Sequence, residues 1–127
     1  MSALESSVPG ARSKHLVIAS HALREHGRLA DAVDHAERAH TLSLAQGVVM
    51  GRAWAALNAA AAWLQVGDLA TASLWARRSL AAASSARMVD CERLAIGVLC
   101  VAAASQGAAV EPQFRARLDD CRSVSAS

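Results

Sequence analysis

The chain has 127 residues, of which 54% are hydrophobic and 19% charged, with a formal net charge of +2; this balance excludes a disordered chain and suits one domain with its own core. Thirteen basic against eleven acidic residues is not the large cationic excess of a nucleic-acid binder. About a quarter of the positions are alanine, the aromatic residues are Phe114 and three tryptophans, and tyrosine is absent, which disfavours strands and favours an all-α fold.

Residues 1–12 lack the cationic head and apolar centre of a secretory signal and are expected to form a disordered tail. Helices are predicted over 13–26, 28–46, 49–66, 68–87, 89–106 and 112–122, with Asp68 as an N-cap and Pro112 opening the last. A single helical domain is therefore expected over 13–122, followed by a short disordered tail over 123–127. The register comes from an internal repeat. Ala19, Ala22, Gly27, Leu29, Ala30, Ala32, Ala36 and Arg38 recur 40 positions later as Ala59, Ala62, Gly67, Leu69, Ala70, Ala72, Ala76 and Arg78, and Gly107 stands 40 beyond Gly67. Each of these glycines closes one helical stretch just before another begins, where a left-handed C-cap is needed, so the repeating unit is an antiparallel helical hairpin. In the second helix Leu29, Ala32, Val33, Ala36, His40 and Ser43 share a packing face. The fourth repeats it with Leu69, Ala72, Ser73, Ala76, Leu80 and Ala83, small residues that let helix axes approach closely.

These positions resemble the tetratricopeptide repeat, with Ser20, Leu23, Gly27 and Ala32 in one unit and Ala60, Trp63, Gly67 and Ala72 in the next at its small, bulky, turn and alanine sites. Ala39 and Ser79 fill its later small site. The chain departs from the pattern in its period of 40 rather than roughly 34 residues, in Leu44 and Ser84 where a proline usually ends the second helix, and in Pro112 at the alanine site after Gly107. The longer period is similar to the extended tetratricopeptide-like repeats of bacterial regulators. The resemblance implies a short α-solenoid of about two repeats plus capping helices. It also implies a ligand groove along the first helix of each repeat, lined by Lys14, Val17, His21, Arg24 and Glu25 in one unit and by Trp54, Leu57, Ala61, Leu64 and Gln65 in the other, with Asn58 beside them. The lysines and asparagines of the family's carboxylate clamp are not reproduced, Asn58 being the matching type nearby. One end of such a groove is basic and the other apolar, which suits a peptide or helix carrying an acid next to an apolar anchor.

Two full units leave an open end, because a repeat buries its face only against a neighbour. Self-association as a homodimer is one expected answer, with Leu74 and Trp75, which lie off the Leu69 face, as candidates; their packing on the fifth helix is the other. Cys91, Cys100 and Cys121 are odd in number and lack a CxxC spacing, so a disulfide framework or zinc ribbon is not expected and a cytoplasmic setting is. The longest uncharged run, Leu94 to Val110, is interrupted by Gly97, Ser105, Gln106 and Gly107 and reads as a buried helix rather than a membrane span. All five histidines, at 15, 21, 26, 35 and 40, fall in the first third of the chain, but mostly five or six apart, where a metal shared across one helical turn wants a spacing of about four. No nucleophile elbow, zinc-protease or phosphate-loop pattern occurs, and catalytic residues, metal ligands and cofactors are accordingly not assigned. The expected function is a non-catalytic protein-interaction module, an adaptor or regulatory subunit binding another protein or peptide, with no nucleic acid or membrane partner. The alternative is a small helical bundle that binds a metal or small molecule through the histidine-rich first hairpin.

Overall fold

The computed structural model describes residues 11–106. Five helices follow one another, α1 (Ala11–Glu25), α2 (Leu29–Gln46), α3 (Val49–Val66), α4 (Leu69–Ser85) and α5 (Val89–Ser105), with no strand among the described residues. Their ends fall within two residues of those predicted, α1 starting at Ala11 instead of residue 13. The helix predicted over 112–122, the tails over 1–10 and 123–127, Gly107 and Cys121 lie outside the described residues.

The turns recur every 20 residues. Gly27, Gly47 and Gly67 adopt φ of +77°, +69° and +97°, and at the fourth turn Arg87 adopts +55°. Each turn closes with the same pair of backbone bonds: the Gly27 N–H donates to the Arg24 carbonyl and the Arg28 N–H to that of Leu23, and the pair repeats at 47 and 48, 67 and 68, and 87 and 88. This double bond satisfies carbonyls that a helix end leaves free, and it demands a left-handed residue, where a side chain costs about 1 kcal/mol. The 40-residue repeat is thus two 20-residue helix-and-turn units. Asp68 caps α4 as predicted, accepting from the Thr71 N–H at 3.1 Å.

Every helix packs on the next, and α3 also packs on α1 and α5, whereas the backbones of α2 and α4 do not approach one another. The odd helices therefore make the closer layer and the even helices a splayed one, a stack of antiparallel helical hairpins. Alanine permits this closeness. Ala32, Ala36, Ala53, Ala56, Ala59, Ala60, Ala76 and Ala83 are fully covered, and Ile96 is the largest side chain fully buried. Where three helices converge the sequence drops even the methyl group: a Cβ on Gly51 would stand 2.8 Å from the Ser43 Oγ.

Buried serine hydroxyls tie the hairpins by donating to carbonyls of the facing helix. Ser20 donates to the Ala32 carbonyl at 2.7 Å, Ser13 to that of Ala39 at 3.2 Å, and Ser79 to that of Ala53 at 2.9 Å. Residues 13 and 39 correspond to 53 and 79 in the repeat, so the same helix–helix contact is bridged in both units, with the serine on the first helix in one and on the second helix in the other.

Candidate partner-binding face

The layer of odd helices presents the register positions expected to line a groove. On α1, Lys14 and His21 are exposed and Val17 and Arg24 half-buried. Arg24 Nη2 donates to His21 Nδ1 at 3.0 Å, and His21 Nε2 lies 3.3 Å from the Glu25 carboxylate. Arg24 Nε is buried and has no hydrogen-bond partner among the described residues.

Helix α3 is enclosed by four neighbours, so little of it reaches solvent. Trp54, Ala61 and Leu64 are half-buried and Gln65 is exposed. Leu57 and Asn58, expected to line the groove, are instead 7% and 9% exposed. Leu57 belongs to the main apolar core, and the Asn58 amide donates to the Trp54 carbonyl one turn back at 2.9 Å. The reason is position in the stack: Ile18, which matches Asn58 on α1, is 56% exposed because among the described helices α1 packs on two neighbours and α3 on four.

Continuing the 40-residue register onto α5 adds residues that the sequence reading did not single out. Leu94, Gly97 and Val101 match Trp54, Leu57 and Ala61; Leu94 and Val101 are about half exposed, and a Cβ on Gly97 would meet nothing within 4 Å. The signal was available, because the same offset that pairs Gly67 with Gly107 pairs these positions. The face thus runs from Lys14, His21 and Arg24 at one end to Trp54, Leu64, Leu94 and Val101 at the other, with a notch at Gly97.

Trp75 does not lie on a free surface. Its ring is buried in the core and meets His40 of α2 edge-on at 4.9 Å between centroids. Leu74, next to it, is 48% exposed.

Burial pushes the Cys91 thiol up against the smaller opposing pull of Ser79, so it stays protonated and weakly nucleophilic. His35 Nδ1 is 2.8 Å from the Asp31 carbonyl, and His40 is held below the ordinary imidazole range by burial, then by Arg78 and Arg52, against Glu37. Among the described residues no three His, Cys, Asp or Glu side chains gather at metal-binding distance, and no helix is long and apolar enough to cross a membrane. Two clefts of about 520 and 510 Å³ open on the edges of the first hairpin; in the first Arg38 pairs with Asp34 at 3.6 Å, and in the second Arg28 pairs with Asp31 at 2.6 Å.

Comparison with protein-family models, curated proteins and solved structures returns no match. What the chain can be assigned to is an architecture, an all-α stack of repeated helical hairpins.

Proposed function

We propose that this chain is a non-catalytic, tetratricopeptide-like interaction module of the cytoplasm, an adaptor or regulatory subunit that takes a helical segment of another protein along its odd-helix layer. The observation that carries the reading is the apolar strip Trp54, Leu64, Leu94 and Val101, exposed or half-exposed in one register and lying beside the basic end at Lys14 and Arg24. Exposed apolar side chains aligned over successive helices suit a partner that lies across them, and a charged end sets its direction. An amphipathic helix with two apolar anchors and an acidic residue beyond them matches that order.

A helical peptide library displayed against the full chain tests this. Enriched sequences should carry that pattern, and their affinity should fall at least about tenfold in Arg24→Ala and in Trp54→Ala, the loss typical of a central contact. Leu74→Arg serves as the control on the opposite layer, and it should break any homodimer without touching peptide binding. Selected peptides that bind Trp54→Ala and Arg24→Ala as tightly as the natural chain would refute the proposal.

A further inference from the structure

A third cleft, of about 330 Å³, lies between the splayed helices α2 and α4, lined by His40, Leu44, Arg52, Arg78, Ala81 and Ala82. It corresponds in register to the 520 Å³ cleft of the first hairpin. Arg12, Arg38, Thr41 and Leu42 line the first, and Arg52, Arg78, Ala81 and Ala82 stand 40 residues later in the second. Both clefts therefore carry the same pair of arginines on equivalent helices. They differ in what balances the pair. In the first cleft Asp34 and Glu37 are part of the lining, and Asp34 pairs with Arg38. Their register equivalents in the second unit are Leu74 and Arg77, so both carboxylates are replaced. Among the described residues no carboxylate pairs with Arg52 or Arg78. Arg78 instead lies over the Trp75 ring, 4.7 Å from its centroid, which fixes its position.

We infer that the cleft between α2 and α4 is a binding site for a small dianionic oxyanion, a phosphate- or sulfate-like group, held between Arg52 and Arg78 with His40 as the third wall. Two planar guanidiniums from different helices match the several oxygens of such a group, and stacking on Trp75 leaves less side-chain freedom to lose on binding. The acidic group near His40 is Glu37, whose carboxylate accepts a hydrogen bond from Trp63 Nε1 at 2.9 Å; Arg52 and Arg78 are the charged groups that oppose it there. Burial is the main cause that keeps the imidazole neutral, and repulsion from Arg78 and Arg52 adds to it; an anion between the arginines offsets that repulsion, so binding draws a proton onto His40 and strengthens as pH falls.

Sulfate is the probe, because it remains dianionic throughout this range. Titrated into the full chain and followed by the side-chain NMR resonances of His40, it should give a saturable shift. Binding should tighten several-fold between about pH 8 and pH 5.5. Arg52→Gln and Arg78→Gln should each weaken it at least about tenfold, whereas Arg38→Gln, in the balanced cleft, should leave it unchanged. Thermal melts of each variant establish that it is folded, and Arg52→Gln, which leaves the Arg78–Trp75 contact in place, keeps the test independent of that contact. A shift that chloride reproduces at equal ionic strength, or that persists in the double Arg52→Gln, Arg78→Gln variant, overturns the assignment.

Discussion

In the first hairpin the fully buried polar side chains sit on both helices, Ser13 and Ser20 on α1 and Ser43 on α2, and the outer surface carries Asp31, Asp34, Glu37 and Arg38. In the second, Ser79 is the fully buried serine, α3 is covered by alanine on almost every side, and Leu74, Arg77 and Arg78 face outward. The two share turns, register and helix lengths to within a few residues. They differ because, among the described helices, α1 packs on α2 and α3, whereas α3 packs on all four others. A helix at the edge can afford side chains; a helix at the centre must give them up to let four neighbours close in. The repeat thus fixes backbone geometry, and the place in the stack decides what each position carries.

The sharpest way to break this comparison is to add the same bulk at matched positions. Ala19 and Ala59 correspond in the repeat, but Ala19 is half-buried and Ala59 fully covered. Urea unfolding should show Ala59→Leu costing about 3 kcal/mol and Ala19→Leu less than about 1 kcal/mol. Equal costs would mean that α3 is no more tightly enclosed than α1.

Smaller effects are expected from the swapped serines. Ser79→Ala removes a hydrogen bond to the Ala53 carbonyl, which keeps its helical partner, and should cost about 1 kcal/mol. Ser13→Ala also deprives the buried Ser43 hydroxyl of its neighbour and should cost about 2 kcal/mol. Denaturant midpoints at constant m-value measure both. The turns sharpen the comparison in the other direction. Arg87→Gly should stabilise the chain by up to about 1 kcal/mol, because it relieves a left-handed side chain, while Gly67→Ala should cost about 1 kcal/mol at the matching turn of the other kind. Calorimetry would contradict the shared-turn account if the two changes had the same sign.

The smallest effect concerns pH. His40 of the first unit matches Leu80 of the second, and its imidazole titrates below its ordinary value because burial, Arg78 and Arg52 disfavour the cation. The folded chain then holds fewer protons than the unfolded chain just below about pH 6.5. Its contribution to stability is complete above that pH and declines as the pH falls towards the folded-state value. His40→Leu should flatten that part of the stability profile; a profile unchanged by the substitution would remove His40 as its cause.

Much of this was legible in the sequence, for identifiable reasons. Gly27 and Gly67 mark turns because a left-handed cap favours glycine, and the alanines between them set the helices and their packing faces. The Arg87 turn was not legible, since an arginine carries no mark of positive φ and takes it here because the helices on either side dictate it. Nor was the burial of Leu57 and Asn58, which depends on how many helices surround α3 rather than on anything within it. Trp75 lies off the stripe predicted from Leu69, yet it is buried beside Ala72, Ala76 and Ser79, with its ring against His40 of α2, a contact that depends on the neighbouring helix. The apolar end of the candidate face was half visible: the repeat carries Trp54 and Ala61 onto Leu94 and Val101, but Gly97 becomes a notch only once those two stand exposed on either side.

That notch gives the most direct test of the claim that the odd-helix layer is the partner face. Gly97 sits inside α5 with open space where a side chain would go. Gly97→Ala should raise stability by up to about 1 kcal/mol through helix propensity and leave peptide affinity nearly unchanged. Gly97→Trp should keep the fold, by circular dichroism and melting temperature, and lower the affinity for the selected helical peptide at least about tenfold by filling the groove. A folded Gly97→Trp chain that binds the peptide as well as the natural one would place the partner surface elsewhere.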